Sequence, residues 1–167
     1  RIIGQLFDTY WLIEFEDSFY MMDQHAAHEK ILYERLMKQF HEKTYHSQMI
    51  MPPVILTLSL REEQILKENW KTFTALGYEI EEFGGKEYKV TGLPAELPTV
   101  IDCKQLLIEL IDTIADESAT HDPERITEKV ASMSCKAAVK GNNRLSFKEA
   151  EELMRELMEA ENPYNCP

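Results

Sequence analysis

Asp23-Gln24-His25-Ala26-Ala27-His28-Glu29-Lys30-Ile31-Leu32-Tyr33-Glu34 is the stretch on which the reading of this chain turns. It follows an apolar run, Phe19-Tyr20-Met21-Met22, that reads as a buried strand, and it opens a helix predicted to continue to about Phe40. An acid, an imidazole and a second acid therefore stand where a strand hands over to a helix, a place where rigid elements hold side chains well enough for metal or catalytic work. At about 100° per residue, His25 and Glu29 are one turn apart on one helix face. Leu32, Leu36 and Phe40 fall within about 60° of that face, and such a stripe is expected to face the core. A glutamate extending it needs a partner, a proton or a metal, because an isolated buried carboxylate is very costly. Asp23, just before the helix, can turn toward the same place. Glu34, about 180° from His25, is expected to point away from the first ring of ligands.

A purely structural reading fits the same residues. Asp23 can cap the helix N-terminus, His25 can be an ordinary hydrogen-bonded histidine, and Glu29 can favour the positive end of the helix dipole. His28, about 60° from His25, lies beside the same face; it can orient a ligand or a water, or simply face solvent. Spacing alone does not choose.

Composition sets the outer limits. A chain of 167 residues, 44% hydrophobic, can bury a real core as one domain, or as one domain with an inserted lobe. No run of eighteen apolar residues occurs, so no membrane span is expected. Arg1-Ile2-Ile3-Gly4 lacks the form of a signal peptide. Cysteines at 103, 135 and 166 are too few and too scattered for a disulfide framework, which points to a reducing cytoplasm. The net charge of −12 repels duplex DNA on average, and no Lys/Arg cluster offsets it. Weak DNA binding by this chain alone is the expectation.

Strands are expected at Ile2 to Leu6, Thr9 to Phe15 and Ser18 to Asp23, the last two around an acidic Glu16-Asp17 turn. Pro52 and Pro53 are expected to open a strand over Val54 to Leu58. Ser59-Leu60-Arg61-Glu62 fits a capping box for a helix that Gly77 ends. Gly84-Gly85 signals a hairpin. Asp102 and Asp122-Pro123 mark two more helix starts, and Ser146-Phe147-Lys148-Glu149 is a further capping box. The order predicts an α/β (α+β) fold: a lobe with a small mixed sheet and helices over residues 1–50 and 115–167, and an inserted βαββα lobe over 51–114. Tyr10-Trp11-Leu12-Ile13 alternates poorly, so both faces of that strand are expected to be covered.

The pattern Asp-Gln-His-Ala, two residues, Glu, four residues, Glu resembles the endonuclease motif of the MutL mismatch-repair family. Gly4-Gln5-Leu6 before it and Ile31-Leu32-Tyr33-Glu34 within it agree, and the likeness to the C-terminal dimerisation and endonuclease domain spans the chain. Ser134-Cys135-Lys136 resembles the family's second motif, Ala-Cys-Arg, with two residues changed; an inert buried cysteine is the alternative there. Cys166-Pro167 matches the first two residues of the third motif, Cys-Pro-His-Gly-Arg-Pro. Its His has no counterpart here, nor has the later Phe-x-Arg motif. Ser47-Gln48-Met49-Ile50-Met51-Pro52 partly resembles a segment that contacts the replication sliding clamp, through Gln48, Ile50 and Pro52; an edge strand explains the same residues.

The resemblance implies homodimerisation through the first lobe and metal-dependent nicking of duplex DNA, with a mismatch-recognition protein as a further partner and the nucleoid of a bacterial cytoplasm as the workplace. Asp23 and Glu29 would serve the catalytic Mn²⁺ or Mg²⁺, for which hard oxygen donors are suited. His25, Glu29, Cys135 and Cys166 would hold a structural or regulatory Zn²⁺, with His28, Glu34 and Lys136 behind those ligands. A non-catalytic module that dimerises and docks partners is the rival reading.

Overall fold

The computed structural model describes residues 1–98, 101–117, 122–139 and 144–164. In chain order the elements are β1 (Ile2–Leu6), β2 (Tyr10–Phe15), β3 (Ser18–Asp23), α1 (Gln24–Glu42), β4 (Ser47–Thr57), α2 (Leu60–Glu68), α3 (Trp70–Ala75), β5 (Glu79–Gly84), β6 (Glu87–Pro94), α4 (Cys103–Glu117), α5 (Pro123–Val139) and α6 (Phe147–Glu159). They make the expected α+β architecture around two three-stranded sheets, ordered β1-β2-β3 and β4-β6-β5. Every pairing is antiparallel, so the first sheet is not mixed as expected. Short turns, at Phe7-Asp8 and Glu16-Asp17, join its strands; Phe7, Asp8 and Glu16 all take left-handed φ values of 53–54°. Such tight links reverse the chain and leave no room for a parallel crossover.

The first sheet packs one face on helices. Ile2, Trp11, Ile13 and Met22 lie against Ala27 and Ile31 of α1 and Ala150 and Leu153 of α6. The other face is open. Register places Leu12 opposite Met21 and Glu14 opposite Phe19; Phe19 is 63% and Met21 60% exposed. The expected buried strand over Phe19–Met22 is therefore corrected: only Met22 is buried. Alternation sends Phe19 and Met21 to the uncovered side. Tyr20, on the helix side, lines the rim of a cavity of about 510 Å³ shared with Arg1, Phe15, Lys30 and Tyr164.

The second sheet has a closed core. Leu56, Tyr88 and Val90 meet Leu66, Phe73, Leu107 and Leu110 from its own helices, together with Leu36 and Met37 of α1 and Val130 and Cys135 of α5. Each fully buried leucine contributes about 2 kcal/mol of transfer free energy. Thus α1 serves both cores, its first turns under one sheet and its middle against the other.

The capping signals act as read. Ser59 with Glu62 and Ser146 with Glu149 form capping boxes; Asp102 accepts from the Gln105 N–H and Asp122 from the Glu124 N–H. Gly77 has a φ of +97°, and a Cβ there would lie 2.8 Å from the His46 carbonyl oxygen, so no other residue fits. Two boundaries differ from expectation. The helix begun at Ser59 breaks at Asn69, whose amide bonds back to the Ile65 carbonyl at 2.9 Å and competes with the backbone ladder. β4 begins at Ser47 rather than after the prolines; an irregularity between Met49 and Val54 in its pairing with β6 accommodates Pro52 and Pro53, and Met51–Pro52 is cis. Gly141, expected to end a helix, lies outside the described residues. Among the described residues no helix is long and apolar enough to cross a membrane.

Candidate functional site

Asp23 is at once the last residue of β3, paired with Tyr10, and the N-cap of α1. Its Oδ1 accepts from the His25 N–H at 2.8 Å and the Ala26 N–H at 3.2 Å. The His25 Nδ1 stands 3.8 Å from the same oxygen, beyond hydrogen-bond range but close enough to feel its charge. The structural reading of Asp23 as a cap is thus correct, and the cap is also what fixes the carboxylate beside the imidazole.

The buried side of α1 comprises Gln24, Ala27, Ile31, Leu36 and Met37. His25 and Glu29 are half-buried at its margin, as are Leu32 and Phe40. The predicted stripe is therefore displaced, because α1 turns its first turns to one sheet and its middle to the other core. His28 is half-buried rather than solvent-facing. Burial, with a smaller contribution from His25, lowers its pKa below the usual imidazole range, and Glu156 partly opposes this.

Cys135 reaches the same region from α5, which packs on α1. It is 1% exposed, and its thiol is pushed up to about 12, by burial first and then by the carboxylates of Glu29 and Glu96. Tyr33 is raised as well, by burial and by the charges of Glu128 and Cys135. Lys136 is exposed. Glu34 pairs with Lys30 Nζ at 3.0 Å and accepts from the Glu161 N–H at 3.1 Å, so it points toward the end of α6. Cys166 lies outside the described residues. The donor types of His25, Glu29 and Cys135 (imidazole, carboxylate and thiolate) fit zinc chemistry, but among the described residues no three His, Cys, Asp or Glu groups stand together as a metal cluster.

The clamp-like segment lies on β4, an edge strand. Gln48 is turned inward, its amide donating to the Pro94 carbonyl at 3.0 Å and to the Leu97 carbonyl. Ile50 packs against the closed core, and Pro52 is exposed beside Met49 and Met51. A cavity of about 490 Å³ separates these residues from Cys103 and Lys104 at the start of α4.

Two contributors escape a reading of spacing. Gln24 is buried and bonded to the sheet. Glu96 accepts from Gln39 at 2.8 Å and lies 4.0 Å from Arg35, which also pairs with Glu156. Both act through partners distant in sequence, and such pairings leave no periodic trace.

Residues 3–145 match the family described as the MutL C terminal dimerisation domain. The chain belongs to the MutL C-terminal domain family. It is 52% identical over 166 residues to the DNA mismatch repair protein MutL of Agathobacter rectalis, covering 99% of this chain and 26% of that protein. It is 37% identical to the MutL of Caldanaerobacter subterraneus subsp. tengcongensis and 38% to that of Thermoanaerobacter pseudethanolicus, over 100% of this chain and 28% and 27% of theirs. The MutL-family chain thus spans about a quarter of the length of these relatives. Its Asp23-to-Glu34 motif sits on the β3–α1 junction just described.

Proposed function

We propose that the chain is the self-associating C-terminal part of a mismatch-repair protein and carries a latent, metal-dependent site for nicking duplex DNA. One observation supports both halves. β3 presents Phe19 and Met21 on an open apolar face and ends in Asp23, which holds the start of the motif helix. Exposed apolar faces of this kind mark interaction surfaces, and a second copy would cover it with a self-complementary interface. In this reading residues 1–50 and 115–167 form the pairing lobe and 51–114 a regulatory one.

Asp23 and Glu29 would face Mn²⁺ or Mg²⁺, while His25, Glu29, Cys135 and Cys166 would hold Zn²⁺. A divalent ion bound there supplies a Lewis acid that lowers the pKa of a water and offsets charge on phosphate. The residues do the placing: Asp23 fixes the first turn through two backbone N–H groups, and Glu29 stands one turn on, within the electrostatic reach of Cys135. With a net charge of −12 the chain binds DNA weakly by itself, so other parts of the protein, a mismatch-recognition partner, or a sliding clamp docked through Gln48–Pro52 would bring the duplex.

The test is Mn²⁺-dependent nicking of supercoiled plasmid by the longer protein, with Asp23→Asn as control. Asparagine caps a helix as well as aspartate does, so the fold is retained and the charge alone is removed. Loss of nicking supports the assignment; equal nicking contradicts it. The open apolar face at Phe19 and Met21 together with the net charge of −12 also fits a second reading, a dimerising and partner-docking module without hydrolysis. That reading is supported if both proteins dimerise and neither nicks.

A further inference from the structure

The β1–β2 turn holds an aromatic residue in a backbone conformation that does not suit it. Phe7 and Asp8 have φ values of 54° and 53°, which hairpin turns ordinarily assign to asparagine, aspartate and glycine. Asp8 is one of these; Phe7 is not, and a bulky residue in the left-handed region is an outlier. Packing within the chain does little to offset the strain, because Phe7 is 86% exposed, the most exposed large apolar side chain among the described residues. The turn is nevertheless well fastened. The Thr9 N–H donates to the Leu6 carbonyl at 3.1 Å, the Thr9 hydroxyl donates to the Phe7 carbonyl at 2.9 Å, and the Asp8 carboxylate pairs with Arg144 at 2.9 Å. Strain of this kind persists where the surrounding structure over-determines it, and it clusters at functional positions.

A lone exposed apolar residue is ordinary, but Phe7 has neighbours. Register pairs Gln5 with buried Trp11, and Leu6 with Tyr10. Alternation therefore sends Leu6, 43% exposed, to the open side of the sheet with Leu12, Met21 and Phe19. Phe7 follows directly, at the end of that apolar face. We propose that Phe7 is an anchor of self-association, held out in a strained turn so that its ring seats on a second copy of the chain. The second copy is the occupant because residues 3–145, Phe7 among them, match a dimerisation domain. Aromatic side chains buried at an interface carry a large share of its binding energy. The inference rests on the self-association reading under Proposed function. It adds a residue at which the needs of the turn and of the dimer oppose each other.

The experiment is Phe7→Asn, which gives the turn a residue suited to it and removes the ring. Sedimentation equilibrium is expected to show a dimer dissociation constant at least about tenfold above that of the wild type. At a concentration low enough that both proteins are monomers, the melting temperature followed by tryptophan fluorescence is expected to rise by about 2–4 °C, since only the strain is then removed. Opposite signs for association and monomer stability are the signature. An unchanged dissociation constant overturns the proposal. A lower monomer melting temperature, or a variant that fails to fold, also overturns it, by assigning the ring to the packing of its own chain. Wild-type protein that sediments as a monomer at every concentration overturns the self-association reading itself, and this inference with it.

Discussion

The two sheets each have three strands, all paired antiparallel, yet they are finished differently. The β4-β6-β5 sheet has a closed helix side, where Leu56, Tyr88 and Val90 are at most 1% exposed, and its exposed apolar residues Met49, Met51 and Phe83 sit on its two edge strands. The β1-β2-β3 sheet is sealed on one side by Trp11, Ile13 and Met22 and left open on the other at Phe19 and Met21. A sheet with apolar residues on both faces and a cover for only one is unfinished as a monomer. In the proposed reading the difference keeps stability and assembly in separate places, with the candidate site on the seam. Asp23 ends the unfinished sheet, while Glu29 and Cys135 approach from the helices that border the sealed core.

This contrast can be broken first at the sealed core. Leu107→Ala, at a position 0% exposed, is expected to lower the unfolding free energy by about 2–5 kcal/mol. Urea denaturation measures it, and a loss well under about 1 kcal/mol would show that the core is less sealed than described. A second effect is pH-dependent. Burial first, then Asp102, pushes the Cys103 thiol from an ordinary value of 9.0 up to about 12. The folded state therefore keeps a proton that the unfolded state releases, so the stability is full below about pH 9 and is lost as pH rises toward about 12. Cys103→Ala is expected to make that alkaline limb shallower, the Cys135 thiol supplying a share of the same sign, in urea midpoints compared at pH 8 and above; an unchanged slope would refute the assignment.

The smallest effect belongs to the unfinished side. Ser146→Ala removes the α6 capping box, for which a cost of about 1 kcal/mol is expected in thermal or urea unfolding. Glu149 is held below its ordinary carboxylate pKa by Ser146. Its share is accordingly present above that ordinary value and lost as pH falls through the folded one, and the variant should lose the part of this acid dependence that the hydroxyl supplies while the backbone N–H of residue 146 keeps the rest. If Ser146→Ala also dissociates the protein, α6 contributes to the pairing surface and the contrast between the regions must be redrawn.

Much of this was legible in the sequence because it is local. Capping boxes at Ser59 and Ser146, the Gly84-Gly85 hairpin and the strand-to-helix passage at Asp23 depend on neighbours a few residues apart. What escaped depends on partners far along the chain. Phe19-Tyr20-Met21-Met22 reads as buried because sequence records apolarity and not which chain provides the cover. The poor alternation of Tyr10-Trp11-Leu12-Ile13 carries the same message: Trp11 and Ile13 are buried within the chain, while Tyr10 and Leu12 are only half-buried on the open side. Helical arithmetic places His25 and Glu29 on the core stripe, but α1 spans two cores and its buried side follows neither alone. The bonds from Trp11 and Gln5 to Gln24 cross 13 and 19 residues of chain, and no pattern announces them.

Sedimentation of the wild-type protein beside a Phe19→Asp/Met21→Asp variant tests the central claim most directly. The account predicts a dimer for the wild type and a monomer for the variant, with the same monomer unfolding free energy to within about 1 kcal/mol, because both side chains are at least 60% exposed in their own chain. Equal dimer masses for the two proteins would contradict it, placing the self-association elsewhere and parting the open sheet from the site at its end.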